Sequence, residues 1–144
     1  MAGFLGKAPL TSDISLVMEI SVLALLLVAR YMFARDGKSV AHGYTVTIAL
    51  ILHAISVAVV MIPSFARSLD ILVSDFYSPA IVATWVHIPI GFVALILGGY
   101  LVSEWRFQTP QAACYMRVKL MRPLWLVWAF SVVLGILLYI AIAV

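Results

Sequence analysis

At 144 residues, 65% hydrophobic and 10% charged, with a mean hydropathy of +1.16, the chain carries more apolar surface than a soluble domain of its length could hide. Its net charge of +3 sits in short loops, which reads as a topology signal and not as a nucleic-acid surface. The single cysteine, Cys114, excludes an intrachain disulfide and a Cys-pair metal site.

The start of the chain, Met1 to Asp13, is short and mixed, without the basic segment and cleavage site of a signal peptide. Thr11-Ser12-Asp13 is predicted to cap a first span over 14–33. That span holds one acid, Glu19, either near enough to the surface to reach headgroups or placed as an intramembrane carboxylate. Arg30, Arg35, Asp36 and Lys38 then form a basic loop turning at Gly37, which belongs in the cytoplasm.

The second span, 41–62, contains no Asp, Glu, Lys or Arg but two of the three histidines, His42 and His53. As a helix it is about 33 Å long, enough to cross a ~30 Å hydrocarbon core. The two histidines are eleven positions apart, about three turns plus 20°, so they share a face. Pro63 is predicted to end the span.

The next loop sets two Asp against Arg67, as an outside loop should. Its stretch Phe65 to Phe76 has the spacing of a short interfacial helix. The third span, 80–102, carries His87 and Pro89, with Gly91, Gly98 and Gly99 offering a small-residue side for another helix. A second basic loop follows, with Arg106, Arg117, Lys119 and Arg122 against Glu104. The fourth span, 123–144, has Trp125 and Trp128 near its start, while Trp85 and Tyr100 of the third suit the two interfacial belts. The expected fold is an all-α membrane protein: one domain, a four-transmembrane-helix antiparallel bundle with both termini outside.

Depth brings three residues together. Measured from the outer edge, Glu19 lies roughly 8 Å deep, His87 roughly 10 Å and His53 roughly 14 Å. They form one layer, while His42 belongs to the cytoplasmic edge. Two histidines on facing helices could ligate a haem b. With a carboxylate they would also suit copper, zinc or non-haem iron. The candidate cofactor-binding residues are His53, His87 and Glu19, and the candidate metal ligands His53, His87 and His42. Glu19 is expected to support His87 through its second ring nitrogen. Each histidine also has a plainer reading: a core hydrogen bond for His53, compensation of freed backbone near Pro89 for His87, an interfacial position for His42.

Ala41-His42, Val86-His87-Ile88 and the stretch RVKLMRPLWLVWAFSVVLGILLY from Arg117 to Tyr139 resemble the YozB/CtaM-like family of small membrane proteins. That family is associated with haem–copper oxidases and their maturation and has no established catalytic activity. Its pattern has histidines at His42 and His87 and typically another where this chain has Arg117. The resemblance implies an accessory subunit or assembly factor of a respiratory or metallo-oxidase complex, in a prokaryotic cytoplasmic (inner) membrane. Its partners would be lipid and larger membrane subunits. The alternative is a purely structural subunit without a cofactor, gluing a complex through its glycines. An enzyme is not expected: the sequence offers no nucleophile–base pair, phosphate loop or carboxylate pair.

Overall fold

The computed structural model describes residues 9–36, 39–75, 77–105 and 118–143, and among them every long element is a helix. Helix α1 is Leu10–Asp36 and α2 is Ser39–Ser56, continued by a π-helical turn, Val57–Met61. The short helices α3, Ile62–Arg67, and α4, Leu69–Ser74, follow, then α5, Pro79–Trp105, and α6, Val118–Ala143. Four stretches are long and apolar enough to cross a membrane: Leu10–Arg35, Val40–Arg67, Pro79–Trp105 and Lys119–Ala141. The chain is therefore an all-α membrane protein built as a four-helix bundle.

Each span reaches further than its hydropathy suggests, and local chemistry explains the largest differences. α1 begins at Leu10, where the Pro9 carbonyl accepts from the Ser12 and Asp13 amides. Thr11-Ser12-Asp13 is thus inside the first turn and not a cap before it. The helical path of α2 does not stop at Pro63. Proline has no N–H and its ring crowds the carbonyl four residues back, here Val59. The chain answers by widening into the π turn, in which the Ile62 amide reaches the Val57 carbonyl, and then continues to Arg67. α5 likewise runs on through Pro89, and α6 takes in Pro123.

The expected interfacial helix over Phe65 to Phe76 is instead two pieces broken at Ser68, and Phe76 lies outside the described residues. α4 is tied to α5, with the Trp85 indole N–H donating to the Leu72 carbonyl at 3.3 Å and Phe65 edge-on to Trp85.

In the bundle, α1 packs on α2 and α6, and α5 on α6 and α2, which leaves α1 and α5 on a diagonal. Short connections force this up-and-down order. The apolar core occupies the half nearer Asp36. There Val22, Leu26, Ala49, Ala94, Leu124 and Trp128 meet, and the Trp125 N–H donates to the Leu26 carbonyl. Arg30 lies over the Trp125 ring, 4.6 Å from its centre, so its charge is shared with an aromatic face. The outward faces stay apolar, with Ile20, Ile51, Ile96 and Leu137 all exposed, as lipid contact requires.

The glycine side of α5 is largely used within the chain. A Cβ on Gly91 would stand 3.2 Å from Ser131 Oγ, and one on Gly98 would stand 3.2 Å from Trp128. Both let α6 approach, and only Gly99 faces open space. The glycine glue for a larger complex therefore loses two of its three residues.

The order of the bundle puts Asp70 at the end opposite Asp36. With the basic loops inside, a cysteine replacing Asp70 should react with an impermeant maleimide added to intact cells, and one replacing Asp36 should not (both in a Cys114→Ser background). The reverse pattern would invert the orientation.

Candidate functional site

The buried polar residues gather in the half of the bundle nearer Leu10. Asp13, Ser15, Glu19, His53, Ser56 and Ser131 are all buried there, in a protein whose outer surface is apolar. Glu19 and Ser15 are four residues apart on α1, and His53 and Ser56 three apart on α2, so each pair shares one helix face. The two faces meet. Ser15 Oγ and Ser56 Oγ are hydrogen-bonded at 2.9 Å. One turn deeper, His53 Nδ1 stands 3.0 Å from both Glu19 oxygens. With His53 1% exposed and Glu19 4%, this is an enclosed pair and not a surface contact screened by water.

Glu19 therefore belongs to His53, where the sequence reading assigned it to His87. Helix rise fixes depth, but the direction in which α1 presents its carboxylate is fixed by packing, and α1 packs chiefly on α2.

The carboxylate turns Nδ1 towards α1 and so leaves Nε2 as the ring nitrogen pointing away from Glu19. That Nε2 is buried and has no hydrogen-bond partner among the described residues. His87 repeats the pattern with its nitrogens exchanged. Its ring lies by the Ser131 backbone, where Nε2 is the nitrogen left to reach the carbonyl, while its Nδ1 is buried with no hydrogen-bond partner among the described residues.

Gly135 makes this contact possible. It follows Ser131 by one helical turn, and a Cβ there would come within 3.0 Å of His87 Cε1. Without that Cβ, the imidazole can lie against α6 and reach the carbonyl. His87 is also within electrostatic reach of both Glu19 and His53. Two more buried polar atoms lack partners, Trp128 Nε1 and Ser131 Oγ, and the Trp128 ring centre is 5.8 Å from that of His53.

His42 takes no part. Its Nδ1 donates to the Ala29 carbonyl at 2.9 Å and its ring packs on Phe33, at the other end of the bundle. There it borders an apolar cavity of about 70 Å³ with Gly43, Leu101, Trp105 and Trp125. Arg117, where the resembled family has a further histidine, lies outside the described residues, and so does Cys114.

These residues suit some cofactors better than others. Among the described residues no three of His, Cys, Asp and Glu converge, so the three-histidine set of His53, His87 and His42 is not assembled. Haem b does not fit this packing. Trp128 lies against His53 and Gly135 against His87, in a core where Trp128 and Val132 are almost fully buried. A porphyrin would have to part α2, α5 and α6. In metal sites the non-ligating nitrogen of a histidine is commonly tied to a carboxylate or a backbone carbonyl, and here one ring has each.

Ser131, Trp128 and Gly135 beside the two rings, and the Ser15–Ser56 pair apart from them, were not singled out from the sequence. The signal for Ser131 and Gly135 was there: a hydroxyl and a glycine one turn apart inside an apolar span. No protein-family model, curated protein or solved structure matches the chain.

Proposed function

We propose that this chain is a small accessory or assembly subunit of a membrane metallo-oxidase or respiratory complex. Its own part would be to hold a singly charged copper ion between His53 Nε2 and His87 Nδ1. The complex, the prokaryotic inner membrane and the larger partner subunits come from the resemblance to the YozB/CtaM-like family. The ion is argued from one observation: the enclosed His53 and the half-buried His87 each leave one buried ring nitrogen, Nε2 and Nδ1, with no hydrogen-bond partner among the described residues.

Charge supports a monovalent ion. Glu19 is the carboxylate at the site, and a carboxylate charge left unbalanced inside an apolar bundle is costly. One positive charge on the bare nitrogens balances it. Imidazole nitrogen suits copper, and a single charge matches its reduced state. No bond-making step is assigned to the site; it would store or pass on an ion.

The test is a titration of purified protein with Cu(I) against a competing chelator under reducing conditions. One ion bound per chain is the expected result. Absence of binding across the neutral pH range would leave the purely structural subunit, and a Soret band on the purified protein would restore haem. Gly135→Ala should weaken binding about 10–100-fold, as loss of a supporting hydrogen bond to a ligand commonly does, while leaving the helical circular dichroism unchanged. Unchanged affinity in that variant would mean that the Ser131 carbonyl does not orient His87.

A further inference from the structure

We infer that the ion enters and leaves this site from the Leu10 end of the bundle, along the seam between α1 and α2, and not from the Asp36 end. The inference rests on the proposed two-histidine site and adds the side of the membrane with which that site communicates.

The two ends differ sharply in chemistry. Towards Leu10 the interior is polar at each turn. Tyr139 donates to Asp13, Ser15 and Ser56 share a hydrogen bond one rung deeper, and Glu19 holds His53 below them. Each rung offers oxygen atoms to a cation that has shed water. A hydroxyl pair can part and re-form around a passing ion with little loss, since such bonds inside membranes average only about 0.6 kcal/mol.

Towards Asp36 the polar groups stop within one helical turn. Val22 follows Glu19 on α1, and Ala49 lies one turn below His53 on α2. Both are fully buried, and Leu26, Ala94 and Leu124 extend the layer. That layer gives an ion nothing to bind.

The wall of the seam is also its least regular part. The π turn Val57–Met61 begins directly after Ser56, so the α-helical hydrogen-bond ladder is broken beside the Ser15–Ser56 rung. Such turns often mark places where a helix yields at a functional site. Here the turn arises from Pro63, which α2 must accommodate before it reaches the surface.

The experiment uses the full chain, loaded with Cu(I), in membrane vesicles of each orientation. Their orientation is read on the same preparations from labelling of an Asp70→Cys variant. An impermeant Cu(I) chelator is added outside, and the copper removed is followed by its colour. Stripping should be fast where the Leu10 end faces out. It should be about 100-fold slower where the Asp36 end does, since a charge at mid-membrane depth meets a barrier of that order. The double substitution Ser15→Ala and Ser56→Ala should leave the copper bound at saturation unchanged but slow its removal about 10-fold, because the rung that eases the cation through hydrocarbon is gone.

Copper that binds stoichiometrically but leaves faster from the Asp36 end would overturn the route and leave the site standing. Equal rates from both ends, or a double variant stripped as fast as wild type, would do the same. Copper that never binds would overturn the site and the route together.

Discussion

Replacing His53 by alanine should abolish Cu(I) binding, and replacing His87 should do the same. Each change removes one of two ligands, and the remaining imidazole cannot hold the ion alone in competition with a chelator. Glu19→Gln should be milder. The amide oxygen can still accept from His53 Nδ1, so the ring keeps its orientation, but the site loses the negative charge that the ion balances. A loss of about 10–100-fold is expected, the usual range for the partner behind a metal-ligating histidine. His42→Ala should bind as wild type does, because His42 is spent on the Ala29 carbonyl at the other end. Copper content of the four purified variants, measured after gel filtration, decides this. Full binding by His53→Ala would reduce that residue to a core histidine satisfied by Glu19.

The largest effect on stability should come from Trp128→Ala. Trp128, on α6, is 2% exposed and packs by Gly98 of α5 and His53 of α2, in the apolar core it shares with Val22 and Leu26 of α1. Its indole N–H has no partner among the described residues, so none of their hydrogen bonds is lost with it. The cost is packing and cavity alone, about 3–5 kcal/mol for a buried tryptophan. Phe130→Ala is the comparison. It removes a ring from the same helix two residues on, but from a position 56% exposed on the lipid-facing side, and should cost at most about 0.5 kcal/mol. Reversible unfolding in mixed micelles measures both. Equal losses would mean that the bundle is not centred on Trp128.

The four spans were legible because hydropathy over twenty residues is a strong signal and lipid imposes it on every span. The layer shared by Glu19, His53 and His87 was legible for a related reason: a fixed rise per residue turns sequence position into depth. Azimuth is not fixed in this way. Which imidazole receives the Glu19 carboxylate depends on how α1 is rotated against α2, and hydropathy does not encode it. The end of α2 was misjudged because Pro63 excludes an ordinary α-helical bond but not a wider one, and the π turn uses that latitude. Gly135 was read only as part of a family pattern. Its role depends on a ring from another helix lying where its side chain would be.

The tautomers of His53 and His87 carry the whole account, and nitrogen-15 NMR of histidine-labelled protein in nanodiscs reads them directly. Without copper, His53 should show a proton on Nδ1 and a bare Nε2, and His87 a proton on Nε2 and a bare Nδ1. Adding one equivalent of Cu(I) should shift those two bare nitrogens and leave both nitrogens of His42 in place. The account would be contradicted if His87 carried its proton on Nδ1, or if copper moved the resonances of His42 and not those of His53 and His87.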